Sequence, residues 1–295
     1  MIPAAFAYHR PASVPEAVAL LQRYNGDAKL LSGGHSLLPI LKLGLNEPAA
    51  LIDLSQVAAL RGVRLEGAEL IIGAFTRHYD IATSALTQTH APLLAEAAAV
   101  IGDPQVRNRG TIGGSLAHGY SGSDLPAAVL ALGGTLHAVG PNGARTIAIT
   151  DLFEDIMSTK LSPNEVLTEL RVPVLTVGQG SAYEKFPQPA SRFAVAGVAA
   201  LVTLQDDRII TAAVGLTGAS TIPLRLAAVE AALTAQPVSA IPAASTLAAE
   251  GWDANEDIHG SAEYRRHLAT VMTRRALDRA VANARGERQE RFGLT

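Results

Sequence analysis

The sequence predicts an α+β protein: two N-terminal α/β subdomains, then a C-terminal α+β domain with a sheet and packed helices. Three observations predict it. Strand-like apolar runs alternate with helix-period segments as far as Pro173; two β-rich runs follow, Phe193 to Leu204 and Arg208 to Leu216; a long helical pattern spans Ser261 to Ala284. The expected boundaries are 1–57, 58–177 and 178–295, with Gly178-Gln179-Gly180 as the linker.

In the first unit, Ser13 or Pro15 opens a helix through Ala17, Val18, Leu20 and Leu21. Lys29-Leu30-Leu31 and Ala50-Leu51-Ile52-Asp53 read as strands, with Gly33-Gly34 turning the chain into Leu37 to Leu43. The second unit has strands at Glu69 to Gly73, Thr135 to Val139 and Glu165 to Val172, and helices at Ala91 to Ile101 and through Leu125, Ala128, Val129 and Leu132. Gly140-Pro141-Asn142-Gly143 has hairpin-turn composition. In the third, Asp206-Asp207 turns between the two β-rich runs, and helices follow at Leu224 to Thr234 and Ser261 to Ala284. Tyr264, Leu268, Val271 and Met272 share one face of that last helix, and its many arginines read as a solvated face.

Composition removes whole classes of chemistry. The 295 residues carry a formal charge of −3, without the basic face that nucleic-acid binding needs. No apolar run reaches the ~18 residues of a membrane span; Phe193 to Leu204 is broken by Gly197 and Thr203. Met1 to Tyr8 lacks the basic start of a signal peptide, so the cytoplasm is the expected location. With no cysteine the chain makes no disulfide, ligates no iron–sulfur cluster through thiolates and has no sulfur nucleophile. Its eight histidines form no H-x-x-x-H pair, and no metal site is expected. G-x-S-x-G, G-x-G-x-x-G and P-loop patterns are all missing.

Two glycine-pair turns remain, Ser32-Gly33-Gly34-His35-Ser36 and Thr111-Ile112-Gly113-Gly114-Ser115. Successive amides without a Cβ can point into one concavity and hold phosphate oxygens. Two such nests far apart in sequence could clasp a pyrophosphate between two lobes. Either pair alone also fits an ordinary tight turn.

The longer runs Gly102-Asp103-Pro104-Gln105-Val106-Arg107-Asn108-Arg109-Gly110-Thr111-Ile112-Gly113-Gly114-Ser115-Leu116-Ala117-His118 and Ser32-Gly33-Gly34-His35-Ser36-Leu37-Leu38-Pro39 are more specific. With Tyr183-Glu184-Lys185-Phe186, Pro189-Ala190-Ser191 and Glu263-Tyr264-Arg265-Arg266, they resemble the FAD-binding medium subunits of molybdenum hydroxylases, of the aerobic carbon monoxide dehydrogenase type and related to the flavin domain of xanthine dehydrogenase. The resemblance implies the FAD-binding fold of the vanillyl-alcohol-oxidase type and non-covalent FAD extended between the lobes. Ser32, Gly33, Gly34, His35, Ser36 and Leu37 would form one phosphate loop, and Thr111, Ile112, Gly113, Gly114 and Ser115 the other. Asp124 matches a residue that accepts hydrogen bonds from the flavin's sugar-alcohol chain; alone it reads as a helix N-cap. Ile101, Leu167 and Lys185 match positions around the isoalloxazine ring, and Phe193 would cover one of its faces. Alone, Ile101 and Leu167 read as core and Lys185 as a solvated strand lysine; His35 and His118 read as structural.

The sequence departs from the family's pattern at three places. Ser115 stands where many relatives carry Asn, Arg192 precedes Phe193 where many carry Asp, and His118-Gly119-Tyr120-Ser121 replaces His-Ala-Asp-Pro. No catalytic side chain is expected. The implied role is electron transfer within a complex: a [2Fe-2S] small subunit delivers electrons from a molybdopterin large subunit, and FAD passes them to an external acceptor. The implied assembly is a dimer of heterotrimers, cytoplasmic or reaching the inner membrane face through its complex. The rival readings are a stand-alone flavin oxidoreductase and a non-redox nucleotide-binding module.

Overall fold

The computed structural model describes residues 2–287 as three packed lobes around one long cleft. The first lobe is a small parallel unit. It contains β1 (Ala7–His9), α1 (Val14–Arg23), β2 (Ala28–Leu31), α2 (Leu37–Lys42) and β3 (Ala50–Asp53), with strand order β1-β3-β2. Ser13 caps α1 by accepting the Glu16 N–H, and Glu16 reaches back to the Ala12 N–H at 2.8 Å, so both ends of a capping pair are present. Ala17, Val18 and Leu21 bury the inner face of α1 against Ala50 and Ile52.

The second lobe contains β4 (Val63–Glu66), β5 (Glu69–Gly73), the helices α3 (His78–Thr83), α4 (Ala85–His90), α5 (Pro92–Ala99), α6 (Pro104–Arg107), α7 (Ile112–His118) and α8 (Asp124–Leu132), then β6 (Thr135–Gly140), β7 (Gly143–Ala148), β8 (Phe153–Asp155), β9 (Ser158–Thr159) and β10 (Val166–Pro173). Its five-stranded sheet, β4-β5-β10-β6-β7, is antiparallel throughout. Hairpins set this: Gly140 pairs with Gly143, and Glu66 with Glu69. Every residue of α8 is buried, because the helix lies between this lobe and the sheet of the third. A helix apolar from Leu125 to Leu132 suits a position with no solvent side.

The third lobe carries β11 (Gln179–Pro187), β12 (Ala194–Gln205), β13 (Arg208–Thr217) and β14 (Leu224–Arg225) as neighbours in one antiparallel sheet. Beyond them lie α9 (Ala227–Leu233), a short β15 (Gln236–Pro237) beside β13, α10 (Ile241–Thr246) and α11 (Ala262–Ala284). Gln179 and Gly180 are strand residues paired with Thr203 and Val202, so the expected linker is already part of the sheet. The solvated-arginine expectation for α11 is corrected as well. Arg265 is 3% exposed and donates to the carbonyls of Val195 and Gly218 at 2.9 and 3.0 Å. Arg266 bonds the carbonyls of Ala249 and Trp252, and Arg279 that of Tyr183. Carbonyls left open at strand and loop ends near the helix draw these side chains inward.

Candidate functional site

The cleft has a volume of about 630 Å³ and takes its walls from all three lobes. Cofactor sites typically measure ~300–1,000 Å³. Of the residues expected from the sequence, Ile112 and Lys185 do not line it; the others do.

The two glycine turns meet at its centre. Ser32 Oγ lies 2.8 Å from Thr111 Oγ1, tying one loop to the other across 79 residues of sequence. A Cβ on Gly33 would stand 2.4 Å from the Arg109 carbonyl oxygen, and one on Gly113 would stand 2.6 Å from Ala74. Both positions are closed to any other residue by neighbouring protein, before a ligand enters the question.

The loops differ in what they offer. The amide N–H groups of Gly33, Gly34, His35, Ser36 and Leu37 donate to no acceptor among the described residues. In the second loop, the Ile112 N–H bonds Thr76 O, Gly113 N–H bonds Ala74 O at 2.9 Å and Ser115 N–H bonds Thr111 O, while Gly114 N–H caps onto Thr111 Oγ1 at 3.2 Å. The first turn is therefore an open row of amide donors, the geometry that suits an anion, and the second a packed helix start whose cleft-side chemistry is hydroxyl.

One wall past the loops is built around a buried carboxylate. Asp124, 3% exposed, is the first residue of α8, and Ser123 takes the N-cap position assigned to it by sequence. Asp124 accepts from Tyr183 Oη at 2.6 Å, and Lys185 Nζ stands 2.9 Å from its carboxylate. Burial pushes the Asp124 carboxyl above its ordinary range, while Lys185 and the Tyr183 hydroxyl pull it back. The Tyr183 phenol is raised well above its ordinary value by burial and by Asp124. Lys185 is not solvated: its side chain is 4% exposed and also donates to Val100 O at 3.1 Å. Arg107 holds the next two carbonyls, of Ile101 and Gly102. Together these cations fix the turn that presents Ile101 to the cleft.

Ile101 and Leu167 give that end of the cleft an apolar surface, joined by Leu161 and Met157 of the β8–β9 region. Phe193, 42% exposed, closes the mouth and packs edge-on against Tyr120 at 5.0 Å between ring centroids. Arg192 beside it has φ +59°, within a loop closed by Arg192 N–H to Gln188 O and Gln188 N–H to Phe193 O, both 2.8 Å. His118 lies in the cleft with its pKa lowered by burial.

Sequence reasoning missed Tyr183, which it quoted only as part of a motif, and His78. The His78 ring lines the cleft, is 6% exposed and has no partner at Nδ1 among the described residues. Burial, then the nearby His35, lower its pKa to about 3. Nothing local marks either residue; their places follow from chain segments far away in sequence.

A family model for the FAD binding domain in molybdopterin dehydrogenase matches residues 4–175, and one for the CO dehydrogenase flavoprotein C-terminal domain matches residues 181–280. The carbon monoxide dehydrogenase medium chain of Hydrogenophaga pseudoflava is 43% identical over 284 residues, 96% of this chain and 99% of its own. The carbon monoxide dehydrogenase structure from that organism superposes with a TM-score of 0.93 at 44% identity, covering 96% of this chain and 99% of the matched one. Quinoline 2-oxidoreductase from Pseudomonas putida 86 gives 0.91 at 30% identity with the same coverage. An open amide nest and an apolar far end thus stand on a fold shared over nearly the whole length, and the chain belongs to the FAD-binding medium subunits of molybdenum hydroxylases, of the carbon monoxide dehydrogenase type.

Proposed function

We propose that this chain is the FAD-carrying electron-transfer subunit of a multi-subunit molybdenum hydroxylase, receiving electrons from an iron–sulfur subunit and passing them to an external acceptor. The observation that carries it is the run of amides from Gly33 to Leu37, unpaired among the described residues, at the centre of a cleft whose far end is apolar. A doubly charged pyrophosphate satisfies such amides, and a flat ring system suits the surface beyond. The residues present therefore fit FAD.

In this reading Gly33, Gly34, His35, Ser36 and Leu37 hold the pyrophosphate by N–H donation, with Ser32, Thr111 and Ser115 adding hydroxyls. Gly113 and Gly114 let α7 approach. Asp124 accepts from the hydroxyls of the sugar-alcohol chain, Ile101 and Leu167 form the floor under the ring, and Phe193 covers its exposed face. Lys185 acts from behind Asp124, so its charge is largely spent on that carboxylate. Bound FAD would supply single-electron and two-electron exchange; the protein supplies position and electrostatics. Residues 1–57 and 58–177 would be the FAD-binding subdomains and 178–295 the third.

With no cysteine in the chain, the iron–sulfur relay must sit on another subunit. We assign as partners a [2Fe-2S] small subunit and a molybdopterin large subunit, in a cytoplasmic dimer of heterotrimers. The test is stopped-flow bleaching of the bound flavin. The holo-chain alone should stay oxidised when mixed with the complex's substrate, and should bleach when the reduced iron–sulfur partner is added. Bleaching by an organic substrate without partners would instead make it a stand-alone oxidoreductase.

A further inference from the structure

Tyr183 lies outside the cleft but has been given a tailored slot. Its side chain is fully buried, and its hydroxyl stands where residue 197 can carry no Cβ: one built on Gly197 would lie 2.3 Å from Tyr183 Oη. That oxygen has one protein partner among the described residues, the Asp124 carboxylate at 2.6 Å. The backbone of Tyr183 is held from both sides. Its N–H donates to Glu96 of α5 at 2.8 Å, and its carbonyl accepts from Arg279 of α11 at 2.7 Å. Arg279 itself pairs with Glu96 at 2.6 Å and with Glu184 at 3.1 Å. Three elements are thus pinned around a phenol whose hydroxyl bonds the carboxylate lining the cleft.

Resting on the FAD site proposed above, we propose that Tyr183 is a positioning residue for that site: its hydroxyl locks the Asp124 carboxylate in place and keeps it an acceptor for the hydroxyls of the bound cofactor. A carboxylate buried to this degree turns and protonates readily unless donors hold it. Lys185 supplies one donor and the charge, and Tyr183 supplies the second donor, on an aromatic stem that cannot swing. The charged or titratable groups around Asp124 are few. Lys185 and Tyr183 face it from β11, His118 stands in the same cleft at the end of α7, Glu96 lies beyond Tyr183 on α5, and Arg225 of β14 bonds Leu130 O at the far end of α8.

The test is FAD affinity of the full-length chain, stripped of flavin, from pH 5.5 to 8.5, followed by quenching of flavin fluorescence. Tyr183→Phe keeps the ring and removes the hydroxyl. The variant should match wild type within about twofold at pH 8.5 and bind roughly fivefold to tenfold more weakly near pH 6, because the lost donor moves Asp124 protonation upward. Gly197→Ala, which drives a methyl into the hydroxyl's place, should shift the acid limb in the same direction. Superimposable profiles, or an equal loss at every pH, would reduce Tyr183 to packing and overturn the assignment. A folded wild-type chain that binds no FAD at any pH, alone and with its partner subunits, overturns the FAD site itself, and the assignment with it.

Discussion

Asp124 and Lys185 form a buried ion pair at the cleft wall, and its energetics are those of all such pairs. Removing one partner leaves an unbalanced charge where water cannot reach. Lys185→Met should cost about 3–5 kcal/mol in urea unfolding of the flavin-free chain, and the double variant Asp124→Leu with Lys185→Met should recover most of it. A double variant no more stable than the single would show that the pair does not balance itself. His78 gives a second expectation. Its folded pKa of about 3 lies below that of a histidine in the unfolded chain, so the unfolded state takes up the proton first as pH falls. The stability tied to neutral His78 is complete above about pH 6.5 and declines below it. His78→Gln should remove on the order of 1–2 kcal/mol from the stability difference between pH 7 and pH 5. An unchanged difference contradicts the buried, neutral ring. Both expectations rest on surroundings the sequence did not reveal: a distant partner for Asp124 and burial for His78. The glycine turns were legible because their chemistry is local, whereas Asp124 meets Tyr183 and Lys185 across 59 and 61 residues.

Among the elements, the helices and hairpins were readable wherever periodicity and turn residues agreed. Ser13 opening α1 and Gly140 to Gly143 turning β6 into β7 are examples. The antiparallel order of the second sheet was not, since pairing partners leave no mark in a single strand. Helix α11 shows how period alone misleads: arginines facing away from the Tyr264 and Leu268 stripe read as solvated, but Arg265 serves two carbonyls of the sheet lobe and Asp257. Arg265→Met should lower stability by about 2–4 kcal/mol, because both carbonyls lose a charged donor in a buried setting. Arg274→Met, at an exposed i,i+4 pair with Asp278, should change it by less than ~0.5 kcal/mol. Thermal unfolding of the two variants side by side separates these cases, and equal effects would contradict the anchoring role of Arg265.

For the whole molecule, the first and second lobes approach closely at the glycine turns, where Gly33 lies against the backbone of Arg109 and Gly110. Gly33→Ala should therefore weaken FAD binding by parting the loops at Arg109 and Gly110, while the rest of the fold survives. Flavin affinity should drop at least tenfold with the far-ultraviolet circular dichroism unchanged; undiminished affinity would show that the loops need not touch. The central claim is that one FAD lies in this cleft with its pyrophosphate on the Gly33 to Leu37 amides. The most direct measurement is a titration of the flavin-free, full-length chain with FAD and, separately, with riboflavin, which lacks the pyrophosphate. The account predicts one FAD per chain, flavin absorbance that co-elutes with the protein, and riboflavin weaker by a hundredfold or more, on the scale of about 3 kcal/mol for lost charge-assisted bonds. A folded chain that stays colourless in excess FAD, alone and with its partner subunits, or that holds riboflavin as tightly as FAD, would contradict it.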